Sequence, residues 1–288
     1  MVGRQMMLET IGEASSWAFD ELIRAARPAL DRGDIEILLM SVLGISRAEL
    51  KAHEERCLSL TQQHAFESHV QRYVCGEPLA YIVGRQPFWT LDLAVDPRVL
   101  IPRPETELLV EAAIEVLPAQ HARVLDIGTG CGAIALSLSI ERPSWELVAS
   151  DRCVAALEVA SRNHADIGER HNLGPVEFRR SDWFSDIAGR FDLIVANPPY
   201  VALDDPHYEG SGFEPDQALF SGQTGFEALQ TIVANSPIHL RPEGWLLLEH
   251  GNLQGDTVRE MMGDAGFRGI ETRRDLAGHD RLTLGHVR

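Results

Sequence analysis

Cysteine is scarce and poorly spaced for either of its structural uses. The four cysteines, at positions 57, 75, 131 and 153, form no Cys-x-x-Cys pair. That argues against a zinc knuckle or a disulfide framework and fits a reducing cytoplasm. Long apolar runs are missing too: the best, Ile37 to Ile45, is short and interrupted by Ser41 and Gly44, where a membrane span needs about 20 residues. The amino terminus, with Arg4, Glu9 and Glu13, lacks the apolar core of a signal peptide. Cationic charge is in short supply. The chain has 26 Lys and Arg against 43 Asp and Glu, a net charge of -17, with most of the excess after residue 85. Gripping duplex nucleic acid takes many cationic contacts to phosphates, so no direct nucleic-acid partner is expected. A basic protein surface is the better complement. The eleven histidines show no ligand spacing, and no internal repeat or low-complexity segment is present.

What is present suits a soluble chain of two parts. The 288 residues, 44% hydrophobic and 24% charged, suffice for one large α/β domain and a small one. Residues 1–75 read as helices. Ser16 to Ile23 is amphipathic and Pro28 is a break. Asp34 is a candidate cap for Ile35 to Leu43, and Ser46 with Glu49 forms a capping-box signal. Thr61 opens a last helix to about Cys75, closed by Gly76. Pro78, Gly84, Pro87, Pro97, Pro102 and Pro104 then punctuate residues 76–104. There the alternation of Phe88 to Val95 predicts a strand, paired as a hairpin with Arg98 to Ile101. A helix from the Arg103-Pro104-Glu105-Thr106-Glu107 segment runs to about Leu117.

From Arg123 strands and helices alternate, the pattern of a parallel sheet covered on both faces. The expected strands are Arg123–Ile127, Glu146–Ser150, Val176–Arg180, Phe191–Ala196 and Gly244–Glu249. Ile270–Arg274 and Arg281–Leu284 follow without an intervening helix, as an antiparallel edge hairpin. The domain expectation is a helical docking domain over 1–84, a β-hairpin connector over 85–104 and an α/β domain over 105–288.

Chemistry concentrates at the strand ends. Asp126-Ile127-Gly128-Thr129-Gly130-Cys131-Gly132 is a strand, a glycine-rich turn and a helix start. Such a turn lets backbone approach a ligand closely, although the glycines alone would equally fit a dinucleotide. Asp151 ends the next strand, where an acid can accept from both ribose hydroxyls of a nucleoside. Asp182 follows the third strand and can accept from an adenine amino group; Trp183 either covers the ring or belongs to the core. The fourth strand ends in Asn197-Pro198-Pro199-Tyr200. Two prolines stop the strand and make a stiff lip. The Asn amide and the flat Tyr ring suit a planar acceptor that carries an NH2 group.

Glycine turn, strand-end acids, Asn-Pro-Pro-Tyr and terminal hairpin together resemble class I S-adenosylmethionine-dependent methyltransferases, a mostly parallel seven-stranded α/β fold. Further stretches are similar to the release-factor glutamine methyltransferases, the PrmC/HemK family. They are Glu77 to Gly84, Phe88-Trp89, Leu100 to Glu107, Ser181 to Phe184, Phe213-Glu214-Pro215, Leu248 to Gly251 and Arg274 to Arg281. The resemblance spans nearly the whole chain, with Cys131 a mild variation inside the turn.

That resemblance implies methyl transfer to the side-chain amide nitrogen of the Gln in the Gly-Gly-Gln motif of class I peptide-chain release factors. S-adenosylmethionine is the implied donor, S-adenosylhomocysteine the product, and no metal or membrane is expected. The implied cofactor-binding residues are Gly128, Thr129, Gly130, Cys131, Gly132, Asp151, Trp183 and Asn197. Asn197, Pro198 and Tyr200 are the implied catalytic residues, and with Pro199 they form the substrate-binding set. In that scheme the Asn197 oxygen and the Pro198 carbonyl accept the two amide hydrogens while Tyr200 packs on the amide plane. Glu249 and His250 read as strand-end structural residues, and Asp204 to Gln217 as a mobile flap. A ribosomal-protein glutamine methyltransferase, or a nucleic-acid adenine methyltransferase, would use the same tetrapeptide.

Overall fold

The structure, a computed structural model, describes residues 10–24, 32–118, 120–205 and 212–288. The break expected at Pro28 and the flap residue Gly210 lie outside these. The chain divides into two compact units, Met1–Gly84 and Arg85–Arg288.

The first unit is helical: α1 (Ile11–Arg24), α2 (Arg32–Leu43), α3 (Arg47–Ala52), α4 (Leu60–Val74) and α5 (Leu79–Val83). Phe66, Val70 and Tyr73 of α4 fall on one helical stripe and join Ile35, Leu38 and Leu39 of α2 in a common core. Two capping boxes set the boundaries. Ser46 and Glu49 open α3 as expected. Helix α4 is opened by Ser59 with Gln62, and not by Thr61. Each such cap stabilises by about 1 kcal/mol because it satisfies otherwise orphaned amides. Asp34 lies in the first turn of α2, and its carboxylate accepts the Tyr73 hydroxyl at 2.5 Å, tying α2 to α4. Gly76 adopts φ +99° directly after α4, as a helix-ending glycine does.

The second unit opens with a short hairpin, β1 (Arg85–Phe88) and β2 (Leu91–Ala94), antiparallel with Phe88 opposite Leu91. This corrects the expected pairing. Trp89, at φ +55°, is in the turn, where a strand was expected to run through it. Arg98 to Ile101 forms no strand, because the Asp96 carboxylate accepts both the backbone amide and the guanidinium of Arg98 and holds a turn. Asn163, buried on a later helix, donates to the Ala94 carbonyl and accepts the Ala94 amide, fastening the hairpin to the α/β body.

A 3-10 turn (Pro104–Thr106) leads into α6 (Glu107–Val116). There follow β3 (Arg123–Ile127), α7 (Ala133–Glu141), β4 (Glu146–Asp151), α8 (Val154–Gly168), β5 (Val176–Arg180) and β6 (Phe191–Ala196). The chain closes with α9 (Asp216–Leu219), α10 (Glu227–His239), β7 (Leu240–Glu249), α11 (Gly255–Asp264), β8 (Arg268–Arg274) and β9 (Asp280–His286). Among the described residues the sheet has seven strands in the order β5-β4-β3-β6-β7-β9-β8. The first five are parallel, and β9 runs antiparallel between β7 and the edge strand β8. Central strands β3 and β6 are nearly all apolar, as a sheet buried on both faces requires. Leu125, Ile127, Ile194, Leu246 and Leu248 pack with Leu229 and Ile232 of α10 and Val258 of α11 in one core.

Register is what the site inherits from this fold. Ile127 is level with Ser150 on one side and with Ala196 on the other. The chain therefore leaves β3, β4 and β6 at one height, and Gly128, Asp151 and Asn197 emerge side by side at the carboxyl edge. The strand order reverses between β3 and β6, where open α/β sheets form their ligand crevice. Among the described residues no helix is long and apolar enough to cross a membrane.

Candidate active site

The glycine turn is held by three hydrogen bonds on its protein side. The amides of Gly128 and Thr129 donate to the Ser150 carbonyl at 2.8 and 2.9 Å, and the Gly130 amide donates to Asp151 Oδ2 at 3.0 Å. All three glycines have positive φ. They differ in what surrounds them. A methyl group added at Gly128 or Gly130 meets nothing within 4 Å, whereas one at Gly132 comes within 3.0 Å of Leu136 Cδ1. The first two thus present bare backbone to open space, and the third allows helix α7 to pack.

Asp126 is wholly buried beneath the turn. Its Oδ2 accepts the Thr129 hydroxyl at 2.7 Å and the Ala135 amide at 3.2 Å, while Oδ1 has no partner. Burial raises its carboxyl to about 7. Thr129 is therefore turned inward as a brace. Cys131 is also buried, its thiol pushed up to about 12 by burial and its carbonyl accepting Asn163. Of the turn residues expected at the cofactor, Gly128 and Gly130 line the cleft, while Thr129, Cys131 and Gly132 shape the turn from behind.

Asp151 closes that side. Its Oδ1 accepts the Cys153 amide at 2.8 Å, and burial raises its carboxyl above the ordinary value. A carboxylate has about four acceptor positions, so two remain once Gly130 and Cys153 are served. Asp182 and Trp183 follow β5 and line the same cleft. Trp183 sits at φ +51°, its carbonyl held by the Ser181 hydroxyl at 2.8 Å, and it also packs against the central core. Trp183 thus lines the cleft and packs on the core at once.

The opposite wall was not legible as part of the site. Arg98, Val99 and Leu100, expected in a strand, line the cleft from their turn, as do Pro215 and Gln217 at the end of the expected flap. Glu214 joins these pieces. Its carboxylate accepts the Ile101 amide at 3.1 Å and the Arg103 guanidinium at 2.5 Å. The resemblance to the Phe213-Glu214-Pro215 pattern was the available signal.

Asn197-Pro198-Pro199-Tyr200 divides two hollows. Asn197 and Pro199 line the cleft just described. A second, adjoining hollow is lined by the whole tetrapeptide with Leu100, Arg103, Val201, Ala218 and Leu219. Asn197 Nδ2 donates to Thr106 Oγ1 at 3.0 Å. The Tyr200 carbonyl accepts Gln254 Nε2 at 3.1 Å, and burial raises the Tyr200 phenol to about 12. One hollow thus sets Asp151, Asp182 and Trp183 beside bare glycine backbone, and the other sets Asn197, Tyr200 and Arg103 among apolar side chains. Asn197 is exposed to both.

Residues 105–209 match the family described as the methyltransferase small domain, and residues 13–84 match the PrmC N-terminal domain. The chain is 50% identical over 257 residues to the release factor glutamine methyltransferase of Pseudomonas aeruginosa, covering 88% of this chain and 92% of that one. To the enzyme of the same name from Xylella fastidiosa it is 45% identical over 268 residues, covering 92% and 96%. Among solved structures it is similar in fold to ribosomal protein L11 methylase from Lactobacillus delbrueckii subsp. bulgaricus. That likeness has a TM-score of 0.51 at 19% identity and covers 70% of this chain and 90% of that one.

Proposed function

We propose, from the premise that the chain belongs to the release factor glutamine methyltransferase family, that it methylates the side-chain amide nitrogen of the Gly-Gly-Gln glutamine in class I peptide-chain release factors. S-adenosylmethionine is the donor and S-adenosylhomocysteine the product, and the reaction belongs in the cytoplasm. The observation that carries this reading is the pair of adjoining hollows sharing Asn197.

The residues fit the cofactor. Bare backbone at Gly128 and Gly130 admits close approach, and Asp151 retains two acceptor positions for the ribose hydroxyls. Asp182 and Trp183 take the adenine amino group and ring face. When bound, S-adenosylmethionine supplies an electrophilic methyl carbon; the remaining work belongs to the chain.

That work is needed because an amide nitrogen is a weak nucleophile, its lone pair delocalised into the carbonyl. The Asn197 Oδ1 and Pro198 carbonyl accept the two hydrogens of the substrate amide, and Tyr200 covers its plane. Holding both hydrogens out of that plane favours a pyramidal nitrogen with its lone pair aimed along the transfer axis. Fixing reacting groups in this way can lower a barrier by up to roughly 7–11 kcal/mol. The nitrogen loses its surplus proton once the methyl group is attached, so no strong base is required. The -17 net charge suits a basic protein acceptor and opposes a nucleic-acid one.

The test is incubation with labelled S-adenosylmethionine and a purified release factor, its Gly-Gly-Gln→Gly-Gly-Ala variant, ribosomal proteins, and DNA. Label is expected in the release factor alone and lost in the variant. Label in DNA or ribosomal proteins but not in release factor would overturn the reading.

A further inference from the structure

The lip Asn197-Pro198-Pro199-Tyr200 is poor in backbone donors, because its two prolines carry no N–H. It is held from its ends. At the first, Asn197 Nδ2 donates to Thr106 Oγ1 at 3.0 Å. At the last, the Tyr200 carbonyl accepts Gln254 Nε2 at 3.1 Å. Gln254 occupies the cap position before α11, yet its side chain makes no capping bond there.

That side chain joins three segments instead. Its Oε1 accepts the Gly251 amide at 2.8 Å, while Nε2 donates both to Tyr200 and to the Gly225 carbonyl, at 3.3 Å. The two ends of an amide are nearly the same shape, but here the partners choose between them. A backbone N–H only donates and a carbonyl only accepts, so the oxygen faces Gly251 and the NH2 faces the two carbonyls. The turn after β7 is tied down in its own right. The Gly251 carbonyl accepts the Gln254 amide and His250 Nδ1, each at 2.9 Å, and His250 is wholly buried. The fit is close. A methyl group added at Gly225 comes within 2.6 Å of the Tyr200 carbonyl oxygen, and one at Gly251 within 3.1 Å of Gln254 Oε1 and 3.6 Å of Tyr200 Cδ2.

We propose that Gln254 is a positioning residue for methyl transfer: by tying the Tyr200 carbonyl to the turns that precede α10 and α11, it sets where the Tyr200 ring stands beside the second hollow. Tyr200 lines that hollow and Gln254 lines neither, so Gln254 acts through Tyr200. The cofactor side of the lip is left to Asn197 and Pro199, which is why the effect falls on turnover and not on cofactor affinity. The inference rests on the proposed amide acceptor, whose plane Tyr200 covers, and deepens it.

Full-length Gln254→Glu, Gln254→Met and Tyr200→Ala variants, and the Gln254→Met, Tyr200→Ala double variant, test it. Each is assayed for kcat and KM on a release factor and for S-adenosylhomocysteine affinity by calorimetry, with kcat expressed per binding site counted in the calorimeter. Glu keeps the shape but its carboxylate sets an oxygen against the two carbonyls; Met has a similar length and makes none of the three bonds. Both should lose about tenfold to a hundredfold in kcat, the scale of a misplaced reacting group, with S-adenosylhomocysteine affinity within about twofold of the parent. In the Tyr200→Ala background the further cost of Gln254→Met should be less than about threefold, because the ring it positions is gone. Full kcat in either Gln254 variant would overturn the proposal. So would a parallel loss of S-adenosylhomocysteine affinity, or losses at Gln254 and Tyr200 that simply multiply, since each indicates packing. Failure of the unmodified protein to label any release factor would instead remove the acceptor on which the proposal depends.

Discussion

Asp151 Oδ2 accepts the Gly130 amide at 3.0 Å, so the acid that ends β4 also holds the tip of the glycine turn that ends β3. Two features that look independent in the sequence are one unit in space. Replacing Asp151 should therefore cost more than two ribose hydrogen bonds. Asp151→Ala is expected to weaken S-adenosylhomocysteine binding by more than about a hundredfold, since two charge-assisted hydrogen bonds at roughly 1.5 kcal/mol each already account for that much. Calorimetry checks this, and unchanged affinity would remove Asp151 from the site.

Asn197→Ala should separate binding from chemistry. The side chain lies at the boundary of both hollows but braces no part of the glycine turn. Methyl transfer should fall at least about a hundredfold, on the scale of losing an essential positioning contact. Calorimetric S-adenosylhomocysteine affinity should change little. A variant with normal turnover would sink the proposed mechanism.

Two glycines of one turn should fail differently. Both are left-handed, so an alanine costs about 1–2 kcal/mol of backbone strain at either. At Gly132 the added methyl also meets Leu136 and Ala160, so Gly132→Ala should mainly lower the urea unfolding midpoint. At Gly128 the methyl enters open space in the cleft, so Gly128→Ala should weaken S-adenosylhomocysteine binding beyond its effect on stability. Equal losses of affinity at the two positions would contradict the distinction.

Glu249 makes a prediction about pH. Burial raises its carboxyl to about 7 from an ordinary 4.5. Between those values the folded protein keeps a proton that the unfolded chain releases, so this group's contribution to stability is lost as pH rises through the window. Glu249→Gln never ionises and escapes the loss. Relative to the parent, its unfolding free energy should improve by on the order of 3 kcal/mol between pH 5 and pH 8. Urea titrations at the two pH values measure the difference, from which the contribution of Asp126 cancels. A shift in the opposite direction would mean that the fold holds Glu249 charged.

Much of this molecule could be read from its sequence, and the limits have physical causes. Strands β3, β5 and β6 fall at the expected bounds because short apolar runs ended by glycine, polar residues or Pro-Pro admit few alternatives. The hairpin was misplaced because alternation continued through Trp89, whose positive φ left no trace in the pattern. Ser59 was passed over for Thr61 although Gln62, three residues after Ser59, completes the capping box. The acids and the tetrapeptide were legible as strand-end residues. The hydrogen bond of Thr106 with Asn197 was not, since it joins residues 91 positions apart. Residue type suggests chemistry; register decides which residues share it.

Strand order also has a consequence for how the chain comes to life. Synthesis is vectorial, and the glycine turn, Asp151 and the tetrapeptide all emerge before β7, while Glu249 follows roughly fifty residues later. Strand β9, which covers the flank of β7, comes last of all. A nascent or prematurely ended chain can therefore carry every residue that faces the two hollows and still leave β7 with a bare edge. The lip that the two hollows share is written early, and the strand that closes the flank of its sheet follows.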